Sequence, residues 1–285
     1  MISEAELKRK AGSMGIDPMM VDLDYVLGVF LSQWYCDEVA RHLRFKGGTC
    51  LRKCYFPDHR FSKDLDFTAE LEFDEREIEA LLIRVSQRTQ EIFGLNLVER
   101  EWRKRIVHDQ RGGTTIETRF YYRGPLRRTG APQAIQLHIT TVKSEILFPE
   151  KSEKRILHPY SDQTFIEGVN AVCYTLKEIL SEKLRAICGQ RRFAISRDLF
   201  DLHKVLEYEA ISLDDIKNLV EKKFETKGVR IEGIRLEDFI SRKEEFEQDW
   251  HRDLTRLLAT AEMTTFDDAW RTTLKAVSWV ESLSR

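Results

Sequence analysis

Residues 46–67 read "KGGTCLRKCYFPDHRFSKDLDF", and the organisation of the chain follows from this stretch. Gly47-Gly48-Thr49 reads as a tight turn, and Asp64-Leu65-Asp66 reads as the start of a strand. On a strand, residues i and i+2 share a face, so Asp64 and Asp66 project side by side while Leu65 and Phe67 enter a core. Two adjacent carboxylates repel one another unless water or a cation separates them. A solvated strand edge meets that need with water. A divalent ion meets it with charge, and Mg²⁺ favours such oxygen ligands while keeping positions for water and phosphate. Glycines let backbone N–H groups approach a phosphate closely, and Thr49 adds a hydroxyl.

The 285 residues suffice for one large domain or two. Hydrophobic residues make up 42%, enough for a sizeable core, and 33% are charged, which implies helices with charged outer faces. The formal net charge of −2 gives no global positive field, so a nucleic-acid partner needs a local patch. No window approaches the ~18 consecutive apolar residues of a spanning helix, so the chain reads as soluble and cytoplasmic, with no membrane partner. Cys36, Cys50, Cys54, Cys173 and Cys188 are scattered without a C-x-x-C pair, which argues against a disulfide framework or structural zinc. Cys50, Cys54 and His59 lack the spacing of a metal site, and buried free thiols are the expectation.

Apolar residues recur at helical spacing over 22–44 (Leu23, Val26, Leu27, Phe30, Leu31, Trp34), with Asp22 as its cap and Gly47-Gly48 as its stop. A second amphipathic helix spans 75–93. Strands follow at 96–107 and 114–122 around the turn "HDQRGG" (108–113), and 134–140, "AIQLHIT", alternates cleanly. Beyond about residue 170 the pattern is helical: "YTLKEILSEKLRAI" (174–187), "RDLFDLHKVLEY" (197–208) capped by Ser196, then 213–225, 236–258 and 265–284. The fold class is therefore α+β: an α/β part over 1–150 and a helical part over 151–285, divided within 145–170.

The opening stretch resembles the signature of the AbiEii/AbiGii toxin family of nucleotidyltransferases. The matching residues are Lys46, Gly47, Gly48, Thr49, Leu51 and Arg52, then Arg60, Phe61, Ser62, Asp64, Leu65 and Asp66. Glu182-Lys183-Leu184-Arg185-Ala186 and Arg197-Asp198-Leu199, with Asp201 and Leu202, extend the likeness to about residues 40–206. The resemblance implies a nucleotidyltransferase-like mixed sheet with flanking helices, followed by the helical part. It implies that Asp64 and Asp66 hold Mg²⁺ (or Mn²⁺), and that Lys46, Gly47, Gly48, Thr49, Arg52, Ser62 and Lys183 serve the nucleotide. By the same resemblance Lys183 and Asp198 reach back to the site, Asp198 acting at the attacking hydroxyl, while Asp201 is structural.

The residues also allow simpler readings. Lys183 falls in the apolar stripe of its helix, so it either snorkels or meets an anion. Asp198 in a first helical turn is favoured by the dipole alone. Where the family often has Leu-Asp-Ile, this chain has Leu137-His138-Ile139, which puts a three-carboxylate, two-metal arrangement in doubt; His138 is a ligand, a nucleotide contact or a solvated side chain.

Residues 99–128 hold nine Lys/Arg against four acids, a net +5, with Trp102, Phe120, Tyr121 and Tyr122 interleaved. Arg103, Lys104, Arg105, Arg119, Arg123 and Arg127 suit phosphate tracking beside stacking aromatics, or form a solvated hairpin. The resemblance favours an NTP donor, a tRNA acceptor and a paired antitoxin protein. Other readings are a GTP/ATP-binding abortive-infection toxin that nucleotidylates a protein or small molecule, and a non-catalytic nucleotide-sensing interaction protein.

Overall fold

In a computed structural model, which describes residues 1–108, 113–127, 129–191 and 193–284, the chain parts into two units. One comprises Met1–Tyr174 with Leu257–Thr260, and the other Thr175–Arg256 with Ala261–Arg285.

The first unit opens with helices α1 (Glu4–Met14) and α2 (Pro18–Trp34). The expected 22–44 helix starts earlier and ends earlier. Asp17 caps it, accepting from the Met19 amide at 2.8 Å, and Pro18 takes the first turn, where no N–H is missed. Asp22 is no cap: it lies inside α2, 1% exposed, and accepts from the Leu126 amide at 2.9 Å. Burial pushes its pKa up to about 6, because a carboxylate is costly to ionise away from water.

Strand β1 (Leu43–Lys46) then leads into a short helix α3 (Gly47–Cys50). The glycine pair therefore starts a helix after a strand, where the sequence reading had it stopping one. Strand β2 (Asp64–Ala69), helix α4 (Glu75–Phe93), strands β3 (Asn96–His108), β4 (Thr114–Arg123), β5 (Gln133–Thr140), β6 (Ser152–Arg155) and β7 (Asn170–Cys173) complete the unit. A full capping box between Asp74 and Glu77 starts α4.

Among the described residues the strands form one mixed seven-stranded sheet in the order β3-β4-β5-β2-β1-β7-β6. Strand β2 sits centrally, antiparallel to β1 and parallel to β5. Its Leu65 and Phe67 are fully buried, and Phe67 stacks on Trp34 and Phe45 at 5.1 Å each. Burying each such side chain is worth about 1.5–3 kcal/mol. That burial fixes which face of β2 turns inward.

The second unit contains α5 (Leu176–Arg185), α6 (Ser196–Tyr208), α7 (Lys217–Thr226), α8 (Leu236–Ser241), α9 (Lys243–Asp249) and α10 (Phe266–Ser282). The periodic 236–258 segment is broken at Arg242 into α8 and α9, because Phe239, Phe246 and Trp270 must converge on one aromatic core. Lys223 of α7, wholly buried, meets Glu178 of α5 at 2.8 Å. Ser196 does not cap α6 with its hydroxyl; it donates instead to Asp249 at 2.7 Å. No helix among the described residues is long and apolar enough to cross a membrane.

Candidate active site

The strand alternation that buries Leu65 and Phe67 leaves Asp64 and Asp66 together on the other face, both partly exposed. Register adds their neighbours. Asp66 lies opposite Lys46 of β1 and His138 of β5; Asp64 lies opposite Gln136; and His138 lies opposite Glu117 of β4. Residues directly opposite share a face, so Lys46, Asp64, Asp66, His138 and Glu117 do too.

His138 Nδ1 lies 2.9 Å from Asp66 Oδ1. That hydrogen bond holds the imidazole above its ordinary pKa against the lowering effect of burial, and the charges of Asp66, Asp64 and Glu117 add to it. Glu117, opposite His138 one strand away, brings a third carboxylate to this face. Sequence reasoning missed it, although Glu117 stands on the polar side of an alternating strand, because cross-strand register is invisible in one sequence.

Gly47 closes the other side. Its φ of +78° is one that L side chains avoid, and a Cβ there would meet Asp66 Oδ2 at 2.8 Å. Gly48 is needed for a different reason: the Arg60 guanidinium occupies the space a side chain would fill. Thr49, 1% exposed, donates its hydroxyl to the Asp64 carbonyl and so anchors the start of β2. Ser62 is buried in the connection before it. The Lys46 ammonium lies 5.4 Å from the Tyr174 ring centre.

Arg52 departs from its expected place at the nucleotide. Its side chain is buried, donating to Asp24 Oδ1 at 2.7 Å and to the His59 carbonyl, and stacked on Phe61. Lys53 and the Tyr160 hydroxyl donate to Asp24 Oδ2 at 2.7 and 2.9 Å. Burial alone would raise Asp24; the Arg52 and Lys53 charges outweigh it and hold the carboxyl well below its usual range. Arg52 thus braces the connection between the glycine turn and β2 from inside.

The basic hairpin divides. Arg103 and Arg105 lie opposite Arg119 and Glu117, so Arg103, Arg105 and Arg119 share the face of the aspartates, and alternation adds Arg123. Lys104 points the other way, to Glu75 of α4 at 2.7 Å. Arg127 has a left-handed φ of 47° in the following loop. The 109–112 turn with Arg111, and Arg128, lie outside the described residues.

In the second unit Lys183 of α5 meets anions: Asp198 at 2.7 Å and Asp201 at 2.6 Å, both on α6. Arg191 reaches Asp198 Oδ2 at 3.2 Å. The contact of Asp201 with Lys183 was not foreseen, though a spacing of three residues on α6 puts Asp198 and Asp201 on one face.

A carboxylate pair on the central strand of a mixed sheet, closed by a glycine turn, is the architecture of a nucleotidyltransferase. The profile of the family described as "Nucleotidyl transferase AbiEii toxin, Type IV TA system" matches residues 29–276, and the chain belongs to that family. The fold is similar to MenT4, a nucleotidyltransferase toxin from Mycobacterium tuberculosis H37Rv, with a TM-score of 0.61 and 19% identity over 100% of each chain. It is also similar to JHP933 from Helicobacter pylori, with a TM-score of 0.55 and 19% identity over 94% of each chain. None of the curated proteins compared matches the chain.

Proposed function

We propose that this toxin transfers a nucleoside monophosphate from an NTP to the 3′ acceptor end of tRNA, and so blocks translation. The observation that carries the reading is the Asp64–Asp66 pair, with an Asp66 oxygen closing on the Gly47 turn. The donor set is two carboxylates with a third carboxylate and an imidazole beside them, which fits Mg²⁺ and also Mn²⁺. When bound, the ion neutralises charge on the phosphates and on the departing pyrophosphate.

The chain's own residues do the rest. Backbone N–H groups at Gly47 and Gly48 approach the triphosphate, with Lys46 beside them. Lys183 contributes an ammonium to the triphosphate, and Asp198, already hydrogen-bonded to it, orients the acceptor hydroxyl. That hydroxyl oxygen forms a bond to the α-phosphorus as its proton passes to Asp198, the bond to the β-phosphate oxygen breaks, and pyrophosphate leaves. Arg103, Arg105, Arg119 and Arg123, on the aspartate face, support an RNA acceptor through phosphate contacts. A paired antitoxin follows from membership of a type IV toxin–antitoxin family.

The test is incubation with each of the four α-labelled NTPs and total tRNA, with Mg²⁺ or with chelator. Label on tRNA from one NTP, lost with chelator, is the expected result. Label on protein would support nucleotidylation of a protein instead, and nucleotide binding without any labelled product would support a sensing role.

A further inference from the structure

Cys50 and Cys54, four residues apart, meet the distant Cys173 behind the glycine turn. Cys50 ends α3, Cys54 lies in the helical turn that follows it, and Cys173 ends β7. Their sulfurs all lie within 4.8 Å of one another. Cys50 and Cys173 are wholly buried and Cys54 is 6% exposed. Among the described residues no further histidine, cysteine or carboxylate joins them, and the His59 that sequence spacing offered is not part of the set.

The Tyr35 hydroxyl packs nearby but donates to the Leu43 carbonyl at 2.8 Å. For three points so spaced, some centre lies no more than about 2.8 Å from each sulfur, a small inward shift from the ~2.3 Å of a metal–thiolate bond.

We infer that Cys50, Cys54 and Cys173 form a three-thiolate site for a soft thiophilic ion that takes three sulfurs, with trivalent arsenic the best chemical match. Soft ligands select soft ions. Zinc takes four ligands, and this buried set offers three. Charge decides among the three-coordinate ions, because an uncompensated charge is costly in a core. Arsenous acid enters neutral and condenses with three thiols: three As–O bonds break, three As–S bonds form, and the three thiol protons leave in three waters. No electrons move, and the buried product is neutral. Because Cys173 pairs in register with Phe45, just before the glycine turn, occupancy staples the end of β7 to the helix that Gly47 begins.

Native mass spectrometry of the reduced full chain with sodium arsenite tests the site. The expected result is one adduct per chain, with a mass gain of one arsenic less three hydrogens and a rise in melting temperature. Cys173→Ala and Cys54→Ala each lose the adduct, while Cys36→Ala, outside the cluster, retains it. X-ray absorption on the wild-type adduct counts three sulfur neighbours, a reading that needs no variant to fold. No adduct at saturating arsenite, an adduct undiminished in both cluster variants, or two sulfurs and an oxygen around arsenic would each overturn the assignment.

Discussion

Two charged clusters carry the motifs of this chain, and their charge balance differs. On the sheet face of the first unit, Asp64, Asp66 and Glu117 gather around His138, with Lys46 across from Asp66. In the second unit, Lys183 and Arg191 face Asp198 and Asp201, two cations against two carboxylates. The first cluster keeps its carboxylates partly exposed, and the second buries them. The physical lesson is that carboxylates left partly exposed need little direct pairing, while buried ones must be held by cations beside them. Removing a carboxylate from the sheet face takes charge from a partly exposed cluster; removing Lys183 takes a partner from each of two buried carboxylates.

The largest effect tests the sheet cluster. Asp64→Ala and Asp66→Ala are each expected to lower kcat/KM for nucleotidyl transfer by about 10³-fold, as loss of an ion that neutralises phosphate charge would. Their unfolding free energies should fall by no more than about 1 kcal/mol, the scale of the single Asp66–His138 hydrogen bond. A large loss of stability in urea would make the pair structural and erase the contrast.

Lys183→Ala is the converse. Breaking a buried ion pair on one side is expected to destabilise the chain by about 3 kcal/mol in urea unfolding. Lys183→Ala combined with Asp201→Asn should recover part of that loss, since one buried negative charge goes with it. A Lys183→Ala protein as stable as wild type would mean that the helix cluster is not self-balancing.

A smaller change sits at the turn. Gly47→Ala must adopt a left-handed φ and crowd Asp66, at an expected cost of about 1–2 kcal/mol. Its affinity for Mn²⁺, followed by electron spin resonance, should fall as Asp66 is displaced. Unchanged affinity would separate the glycine turn from the carboxylates.

The smallest effect is one of pH. The Asp66 hydrogen bond raises the folded-state pKa of His138 above its unfolded value, so the protonated form stabilises the fold. That contribution is complete below the unfolded value of about 6.5 and is lost as pH rises through the higher folded value. Without divalent ion, the stability difference between wild type and His138→Asn should therefore shrink as pH rises. A difference independent of pH would mean that His138 carries no charge in the cluster.

Much of this was legible in sequence because it is local. The 75–93 helix, the 114–122 strand and "AIQLHIT" follow from periodicity, and the paired projection of Asp64 and Asp66 follows from the strand repeat. Helix ends were less legible. Asp22 and Asp17 both have capping chemistry, and only the burial of Asp22 against Leu126 separates them. Arg52 reads as a phosphate ligand beside the glycine turn, yet its partner Asp24 lies 28 residues upstream.

By itself, then, the sequence determined the class of protein, the order of its longer elements and the face on which its paired aspartates stand. Only the tertiary structure decided who stands beside them: Glu117 across from His138, Asp201 against Lys183, Asp24 beneath Arg52, and Cys173 with Cys50 and Cys54. The reason is physical. Side-chain direction is set by backbone repeats of two or 3.6 residues, which a sequence displays. Partnership depends on register between strands and on packing between distant segments, which the whole fold fixes at once.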